Sequence, residues 1–282
     1  MRRLFSCFLL QTRPEPGLTA PRRAAFWLWN GFLMLGAALA LGLLCLMLAP
    51  AQYGWELFYD YLAHPALTAL NLLPPVVLMA LLYGLTGRAW LAYVLTALPV
   101  LGLAAGNAYK MFFRDDPVIA RDLLLLGEAG NMAGKYQLFL FGKLTAALAC
   151  AVLSAALLAL LARGRPLGRF RAAAAGAALT CAAALAPLYA SDQLYQANAN
   201  EEHINKWSVT QQYVSRGLLY PFLHSVKDAF PQPPDGYSQR EAEVWLAEYE
   251  DGGIPEDKKV NIVGVMLEAF ADFSQFEEIQ FT

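Results

Sequence analysis

Long apolar runs occupy the first two thirds of the chain and alternate with shorter polar connections. A membrane-spanning helix needs about 20 predominantly apolar residues, and five runs approach or exceed that length. The second run contains Pro74 and Pro75, which predicts a kink whose freed backbone carbonyl is satisfied by a neighbouring helix. The predicted spans are Ala24–Ala49, His64–Leu85, Ala89–Ala105, Leu138–Leu161 and Arg171–Ala190. Residues 1–190 are therefore predicted to form an all-α polytopic membrane domain with about five transmembrane helices.

The composition agrees with a membrane protein. Hydrophobic residues make up 57% of the 282 residues and charged residues only 16%, whereas soluble domains average about 25% charged residues. The formal net charge is −2, so no basic surface is available to neutralise a phosphate backbone, which excludes nucleic acid as a partner. The cysteines show no zinc-binding pattern, and none follows the apolar runs. They are Cys7, Cys45, Cys150 and Cys181.

Lysine and arginine are distributed unevenly between alternate connections. In multi-pass proteins, short loops that are rich in these residues stay in the cytoplasm. The basic connections are the N-terminal segment, the turn at Arg88 and the Arg163–Arg171 connection, whereas residues 51–63 contain no Lys or Arg. The protein is therefore predicted to lie in the cell membrane with its N-terminus in the cytoplasm. Five spans then place everything after about residue 190 outside the cytoplasm.

The connection between the third and fourth spans, residues 106–137, is long and polar. Asp116 followed by a proline is typical of a helix start, and the pattern predicts a helix over Pro117–Glu128 at the outer membrane interface, ended by Gly130. Three basic residues lie around it: Lys110, Arg114 and Arg121. Solvated charges near lipid headgroups would explain them, but such cations also bind phosphate. We hypothesise that they hold the phosphate of a lipid substrate.

Residues 191–257 are predicted to form an extracytoplasmic helical linker. Ser191–Phe230 is amphipathic and helix-forming, with an interruption at Gly217. After a proline-rich stretch, Ser238 and Glu241 have the spacing of a capping box, in which each side chain satisfies a free N–H at the helix start. The linker is therefore expected to contain this interrupted helical stretch and a short helix that begins at Ser238.

Residues 258–282 are predicted to begin an α/β domain. Val260–Leu267 is a short apolar run that is typical of a buried parallel strand. Glu268 follows it directly. Ligands and metal ions collect at the carboxyl ends of strands in open α/β sheets, and carboxylate oxygens suit hard divalent cations. Glu268 is thus a candidate metal ligand, although many strands also end in an acidic residue without binding a metal.

Three stretches together resemble one family. They are NIVGVMLEAFADFS (Asn261–Ser274), NAYKMFFRDDPVIARDLLLL (Asn107–Leu126) and WSVTQQYVSRGLLYPF (Trp207–Phe222). They are similar to the lipoteichoic acid synthase-like, or polyglycerolphosphate synthase, proteins of the sulfatase and alkaline phosphatase superfamily. Five spans, a linker and then such a strand match that family's architecture.

The resemblance implies a membrane-bound phosphoglycerol transferase. Such an enzyme moves glycerol phosphate from phosphatidylglycerol to a growing polymer at the outer membrane face. A threonine attacks the phosphodiester, and a divalent ion, Mn²⁺ or Mg²⁺, polarises the phosphate. By resemblance, Glu268 is the first ligand of that ion. The family's nucleophile and remaining ligands are expected beyond Thr282, so this chain corresponds to the N-terminal part of such an enzyme and contains no catalytic nucleophile.

Two other functions are compatible with the sequence. One is a related phosphoethanolamine transferase or sulfatase-like hydrolase anchored in the membrane. Typical sulfatases have a pair of aspartates at this position, and the phosphoethanolamine transferases usually have Glu-Ser followed by a basic residue, whereas this chain has Glu268 and Ala269. The other is a non-catalytic membrane scaffold. The sequence carries no signal for an oligomeric state, an acceptor substrate or a preferred metal.

Overall fold

The fold is that of a computed structural model. It describes residues 20–50, 55–125, 127, 142–162, 164, 168–198, 200, 204–205, 207–230, 236–248, 260 and 264. In chain order the helices are α1 (Ala20–Leu48), α2 (Trp55–Ala63), α3 (Pro65–Thr86), α4 (Ala89–Arg114), a 3₁₀ helix (Ala120–Leu125), α5 (Gly142–Leu161), α6 (Gly168–Ala190), α7 (Asp192–Ala197), α8 (Val209–Val214), α9 (Leu219–His224), a second 3₁₀ helix (Ser225–Asp228) and α10 (Gln239–Ala247).

Five of these helices are long and apolar enough to span a membrane, and they are α1, α3, α4, α5 and α6. This confirms the five predicted spans. Among the described residues there is no β-strand. Helix α4 is longer than expected and continues past the predicted end at Ala105 to Arg114. Two polar residues of its last turns, Asn107 and Lys110, have hydrogen-bond partners within the fold.

Helix α3 is central and packs against α1, α4 and α6. Its contact with α6 is close, since a Cβ added at Gly84 would lie 2.7 Å from the backbone nitrogen of Ala175. Helix α3 ends at Gly87, whose φ of 65° is in the left-handed region that glycine tolerates. Arg171 of α6 covers this end by donating to the carbonyls of Gly84, at 3.2 Å, and Leu85.

The two ends of the bundle differ in charge. The basic end, as we name it, contains the start of α1, the end of α3 and the starts of α4 and α6, with Arg88, Arg169 and Arg171. The opposite end contains α2, the first 3₁₀ helix and helices α7, α8 and α9, and here Asp and Glu side chains occur as well. This difference is what determines the orientation predicted above.

The predicted helix over Pro117–Glu128 is wrong in its start. Residues 116–119 are non-helical, and a short 3₁₀ helix begins only at Ala120. The reason is a competing set of hydrogen bonds. The Asp122 carboxylate accepts the Ile119 N–H at 2.9 Å, and Asn107 Oδ1 accepts the Val118 N–H at 3.0 Å. The predicted end at Gly130 lies outside the described residues.

The segment after α6 forms short helices. Ser191 and Ser208 begin α7 and α8 by accepting the N–H groups of Leu194 and Gln211. Gly217, with φ of 90°, separates α8 from α9, which confirms the predicted interruption. Residues 1–231 form one compact unit.

Residues 232–282 form a second unit. In it, Ser238 Oγ accepts the Glu241 N–H at 3.4 Å at the start of α10, so the predicted cap is present. The predicted strand Val260–Leu267 and Glu268 lie outside the described residues, apart from Val260 and Gly264. Both therefore remain predictions.

Candidate functional site

An ion-pair cluster at the end of α4 holds the loop that follows it. The Lys110 ammonium lies 2.7 Å from a carboxylate oxygen of Asp116 and 2.7 Å from one of Asp122. It also donates to the Pro117 carbonyl at 2.9 Å. The Lys110 side chain is only 17% exposed. Lys110 is therefore already neutralised by carboxylates of its own loop.

Arg114 and Arg121 differ from Lys110. Both side chains are exposed, and within the part of the chain that the structure describes neither forms an ion pair with a carboxylate. Exposed apolar side chains lie next to them along the chain. These are Phe112, Phe113, Leu123, Leu124 and Leu125. The two arginines and these five residues, all within residues 112–125, are referred to below as the arginine patch. It combines cationic groups with apolar side chains, as membrane-interface surfaces do.

The loop of the arginine patch is bound to the segment that contains α8 and α9, residues 207–230. Thr210 Oγ1 donates to the Asp115 carbonyl at 2.9 Å, and the Tyr213 hydroxyl donates to the Val118 carbonyl at 2.7 Å. The Ala120 N–H donates to Ser225 Oγ at 2.9 Å. Burial raises the pKa of Tyr213 well above its ordinary value, so its phenol stays protonated and keeps donating at neutral pH.

Asn71 of α3 fastens the turn between α8 and α9 to the bundle. Its side chain is 1% exposed and makes four hydrogen bonds to backbone groups. The amide donates to the carbonyls of Leu67 at 3.0 Å and Arg216 at 2.9 Å. The Oδ1 atom accepts the N–H groups of Leu218 and Tyr220, each at 3.1 Å.

Gly217 allows this contact. A Cβ atom added at Gly217 would lie 2.5 Å from Asn71 Oδ1, which is far inside van der Waals contact. The positive φ of Gly217 also disfavours any residue with a side chain. The sequence analysis identified Gly217 as a break and noted Asn71 as a polar residue in a span, but nothing in the sequence pattern pairs them.

Tyr189 satisfies the carbonyl that Pro74 leaves without its helical partner. Proline lacks an N–H, so the carbonyl four residues earlier, that of Leu70, has no intrahelical donor. The Tyr189 hydroxyl of α6 donates to it at 2.6 Å. This confirms the predicted compensation of the proline kink by a neighbouring helix.

A stack of charged and aromatic side chains fixes α9 to the end of α6. Tyr195 lies 4.3 Å from the Arg216 guanidinium and stacks on His224 at 3.9 Å. His224 donates through Nδ1 to the Tyr189 carbonyl at 2.8 Å, and its Nε2 lies 3.3 Å from Asp192. The hydrogen bond from Lys227, supported by the charge of His224, lowers the pKa of Asp192. His224 is thus a packing residue here.

Nothing in the described ranges supports a metal site, because they contain no group of three or more His, Cys, Asp or Glu side chains that could hold an ion. Glu268, the metal ligand expected from the resemblance, lies outside those ranges.

No protein-family model matches the chain, and neither a curated protein nor a solved structure matches it. The geometry of the arginine patch and of residues 207–230, referred to below as the docked segment, is therefore the structural basis for a functional proposal.

Proposed function

We propose that this chain anchors and positions a phosphoglycerol transferase of the lipoteichoic acid synthase type, and that the arginine patch binds the phosphate of phosphatidylglycerol. The observation that carries the proposal is the presence of two exposed guanidinium groups, Arg114 and Arg121, without carboxylate partners in the described part of the chain, beside apolar side chains. The headgroup of phosphatidylglycerol carries one negative charge on a phosphodiester, which a guanidinium can bind with two parallel hydrogen bonds.

The three basic residues have different roles in this proposal. Lys110 is bound by Asp116 and Asp122 and keeps the loop in shape, while Arg114 and Arg121 contact the lipid. Over residues 110–122 the charges balance, with Lys110, Arg114 and Arg121 against Asp115, Asp116 and Asp122. Because Asp116 and Asp122 are bound to Lys110, the charges outside that cluster are those of Arg114, Arg121 and Asp115, and the two guanidinium groups attract anionic lipids in preference to zwitterionic ones.

The docked segment supplies the mechanical part of the proposal. Residues 207–230 are bound to α3 through Asn71 and to the loop after α4 through Tyr213 and Ser225. A segment held at both places cannot shift relative to the arginine patch without breaking buried hydrogen bonds. Residue 230, from which the chain continues towards Glu268, is therefore held relative to α3 and to the loop after α4. In the family that the sequence resembles, Mn²⁺ or Mg²⁺ would polarise the substrate phosphate, with Glu268 as one ligand of the ion.

The proposed orientation follows from the charge difference between the two ends of the bundle. The basic end faces the cytoplasm, and the arginine patch and the docked segment lie on the outer side of the cell membrane. Phosphatidylglycerol of the outer leaflet then reaches the patch by lateral diffusion.

The activity is tested with the protein as its gene encodes it, reconstituted into vesicles with Mn²⁺. One vesicle set contains phosphatidylglycerol with a fluorescent acyl chain, and the other contains phosphatidylethanolamine with the same chain. The expected result is fluorescent diacylglycerol from phosphatidylglycerol only. Release from phosphatidylethanolamine only would instead support the phosphoethanolamine transferase alternative, and release from neither lipid would contradict an enzymatic role and favour a scaffold.

Lipid binding by the arginine patch is tested separately in the 282-residue chain. In detergent micelles, the double variant Arg114→Gln, Arg121→Gln should bind phosphatidylglycerol more weakly and with a smaller salt dependence, since exposed charges are screened within about 8–10 Å at physiological salt. Arg240→Gln, an exposed arginine of α10, is the matched control and should leave binding unchanged. Equal binding by the double variant and the control would remove the patch from the proposal.

A further inference from the structure

A second lipid-facing feature lies at the basic end of the bundle and is independent of the proposed activity. Helices α1 and α6 both pack on α3, and the space that remains between the three is a cleft of about 260 Å³. Its wall includes Trp27, Gly31, Leu35 and Ala38 of α1, Met79 of α3 and Ala174 of α6. Gly31 and Leu35 are exposed, so the cleft opens on the face that the bilayer covers.

The length of the cleft matches one leaflet. Its wall on α1 extends from Trp27 to Ala38, which corresponds to about 17 Å along a helix at 1.5 Å per residue. Half of the hydrocarbon core of a bilayer is about 15 Å thick. The cleft thus begins near the basic end and reaches the bilayer midplane, which is the depth that a single acyl chain covers.

The cleft is narrow and apolar. A volume of about 260 Å³ over a length of about 17 Å leaves room for a slender occupant. Most of the lining side chains are apolar, with Asn30 and Tyr83 among the exceptions. An occupant that is long, thin and apolar fits both properties, and an acyl chain is the component of the membrane with this shape.

The charge at the mouth of the cleft selects the headgroup. Arg169 and Arg171 lie in the first turn of α6, one turn before Ala174. Of the described residues at this end, Arg88, Arg169 and Arg171 are cations and none is Asp or Glu, while the preceding N-terminal segment contains Glu15. This excess of cations favours an anionic headgroup.

We propose that the cleft between α1, α3 and α6 is a binding site for one anionic phospholipid of the leaflet at the basic end. One acyl chain lies along Gly31 and Met79, and the phosphate lies near Arg169. This site is at the opposite end of the bundle from the arginine patch, so the two bind lipids of different leaflets. The bound lipid fills the gap between α1 and α6, which do not pack closely on each other.

Trp27 provides a direct reporter. A variant with Trp27 as its single tryptophan is made by changing the other five of the six tryptophans to phenylalanine. It is reconstituted in phosphatidylcholine vesicles that contain a minor fraction of phosphatidylglycerol with brominated acyl chains, which quench tryptophan on contact. The expected result is several-fold stronger quenching than with the same fraction of brominated phosphatidylcholine, each measured relative to unbrominated vesicles.

Two glycines of α1 give a matched pair of blocking and control variants. A Cβ added at Gly31 or Gly36 meets no atom within 4 Å, so a larger side chain is tolerated at both, but only Gly31 lines the cleft. Gly31→Phe should lower the quenching by brominated phosphatidylglycerol to the phosphatidylcholine level, and Gly36→Phe should not. Ala80→Leu, from the α3 wall, should act like Gly31→Phe. Equal quenching by the two lipids in the parent protein, or identical behaviour of the Gly31 and Gly36 variants, would overturn the proposal.

Discussion

Asn71→Ala should detach the docked segment from the bundle without unfolding the spans. The substitution removes the acceptor of the Leu218 and Tyr220 N–H groups, and both residues are buried. An unsatisfied buried donor costs about 1–3 kcal/mol, so the pair costs about 2–6 kcal/mol. Even the lower figure raises the population of the detached state about 30-fold, at about 1.4 kcal/mol for each factor of ten.

The assay is thiol labelling of a cysteine at residue 219 in a background without the four native cysteines. Leu219 is 5% exposed when the segment is docked, so Leu219→Cys reacts only through the detached state, and its labelling rate follows that population. The rate should rise by at least the factor given above in Asn71→Ala. Thr96→Ala is the control, because Thr96 is equally buried in a neighbouring span but donates only to Ala92 of its own helix.

Gly217→Ala provides an independent test of the same contact. It introduces a Cβ atom 2.5 Å from Asn71 Oδ1 and a side chain at positive φ, so it should also increase labelling. In the double variant with Asn71→Ala the clash disappears. The free-energy cost of the double variant should therefore be smaller than the sum of the costs of the two single variants. Labelling of Asn71→Ala at the rate of Thr96→Ala, or full additivity in the double variant, would refute the role of Asn71.

Three further predictions concern the topology, the proline carbonyl and acid sensitivity. In a cysteine-free background, Ser238→Cys should react with an impermeant thiol reagent in intact cells and Gly168→Cys should not, and the reverse pattern would contradict the five-span orientation. Tyr189→Phe should lower thermal stability by about 1 kcal/mol because it removes the donor to the Leu70 carbonyl. Its control is Tyr220→Phe, which should be neutral or stabilising, since the Tyr220 hydroxyl is buried without a hydrogen-bond partner in the described part of the chain. The hydrogen bond from Lys227 is the main reason why the pKa of Asp192 is lowered. The Asp192 carboxylate therefore stabilises the docked α9 fully above the usual aspartate pKa, and this stabilisation is lost as the pH falls through the lowered pKa. The labelling rate of the residue-219 cysteine, divided by that of an exposed cysteine at the same pH to correct for its thiolate fraction, should therefore increase in acid, and Asp192→Asn should remove this dependence.

The spans were predictable because they depend on a local property. A run of about 20 apolar residues forms a helix in a membrane whatever its neighbours are, so five spans follow from the apolar runs alone. The break at Gly217 and the cap at Ser238 are local as well, because each depends on residues within a few positions. The resemblance at Asn261–Ser274 is also a local pattern, and it is the reason for expecting a metal ligand at Glu268.

The tertiary structure decided what the polar residues do. Lys110 was expected to face a lipid phosphate, but Asp116 and Asp122 already bind it, and the same contacts replace the expected helix start. Asn71 pairs with backbone groups 145 to 149 residues away, and no periodicity in the sequence encodes such a partner. A polar group buried away from water needs a hydrogen bond, but its residue type does not specify which distant group supplies it. That choice is made only when the helices pack, and it is what fixes the docked segment beside the arginine patch.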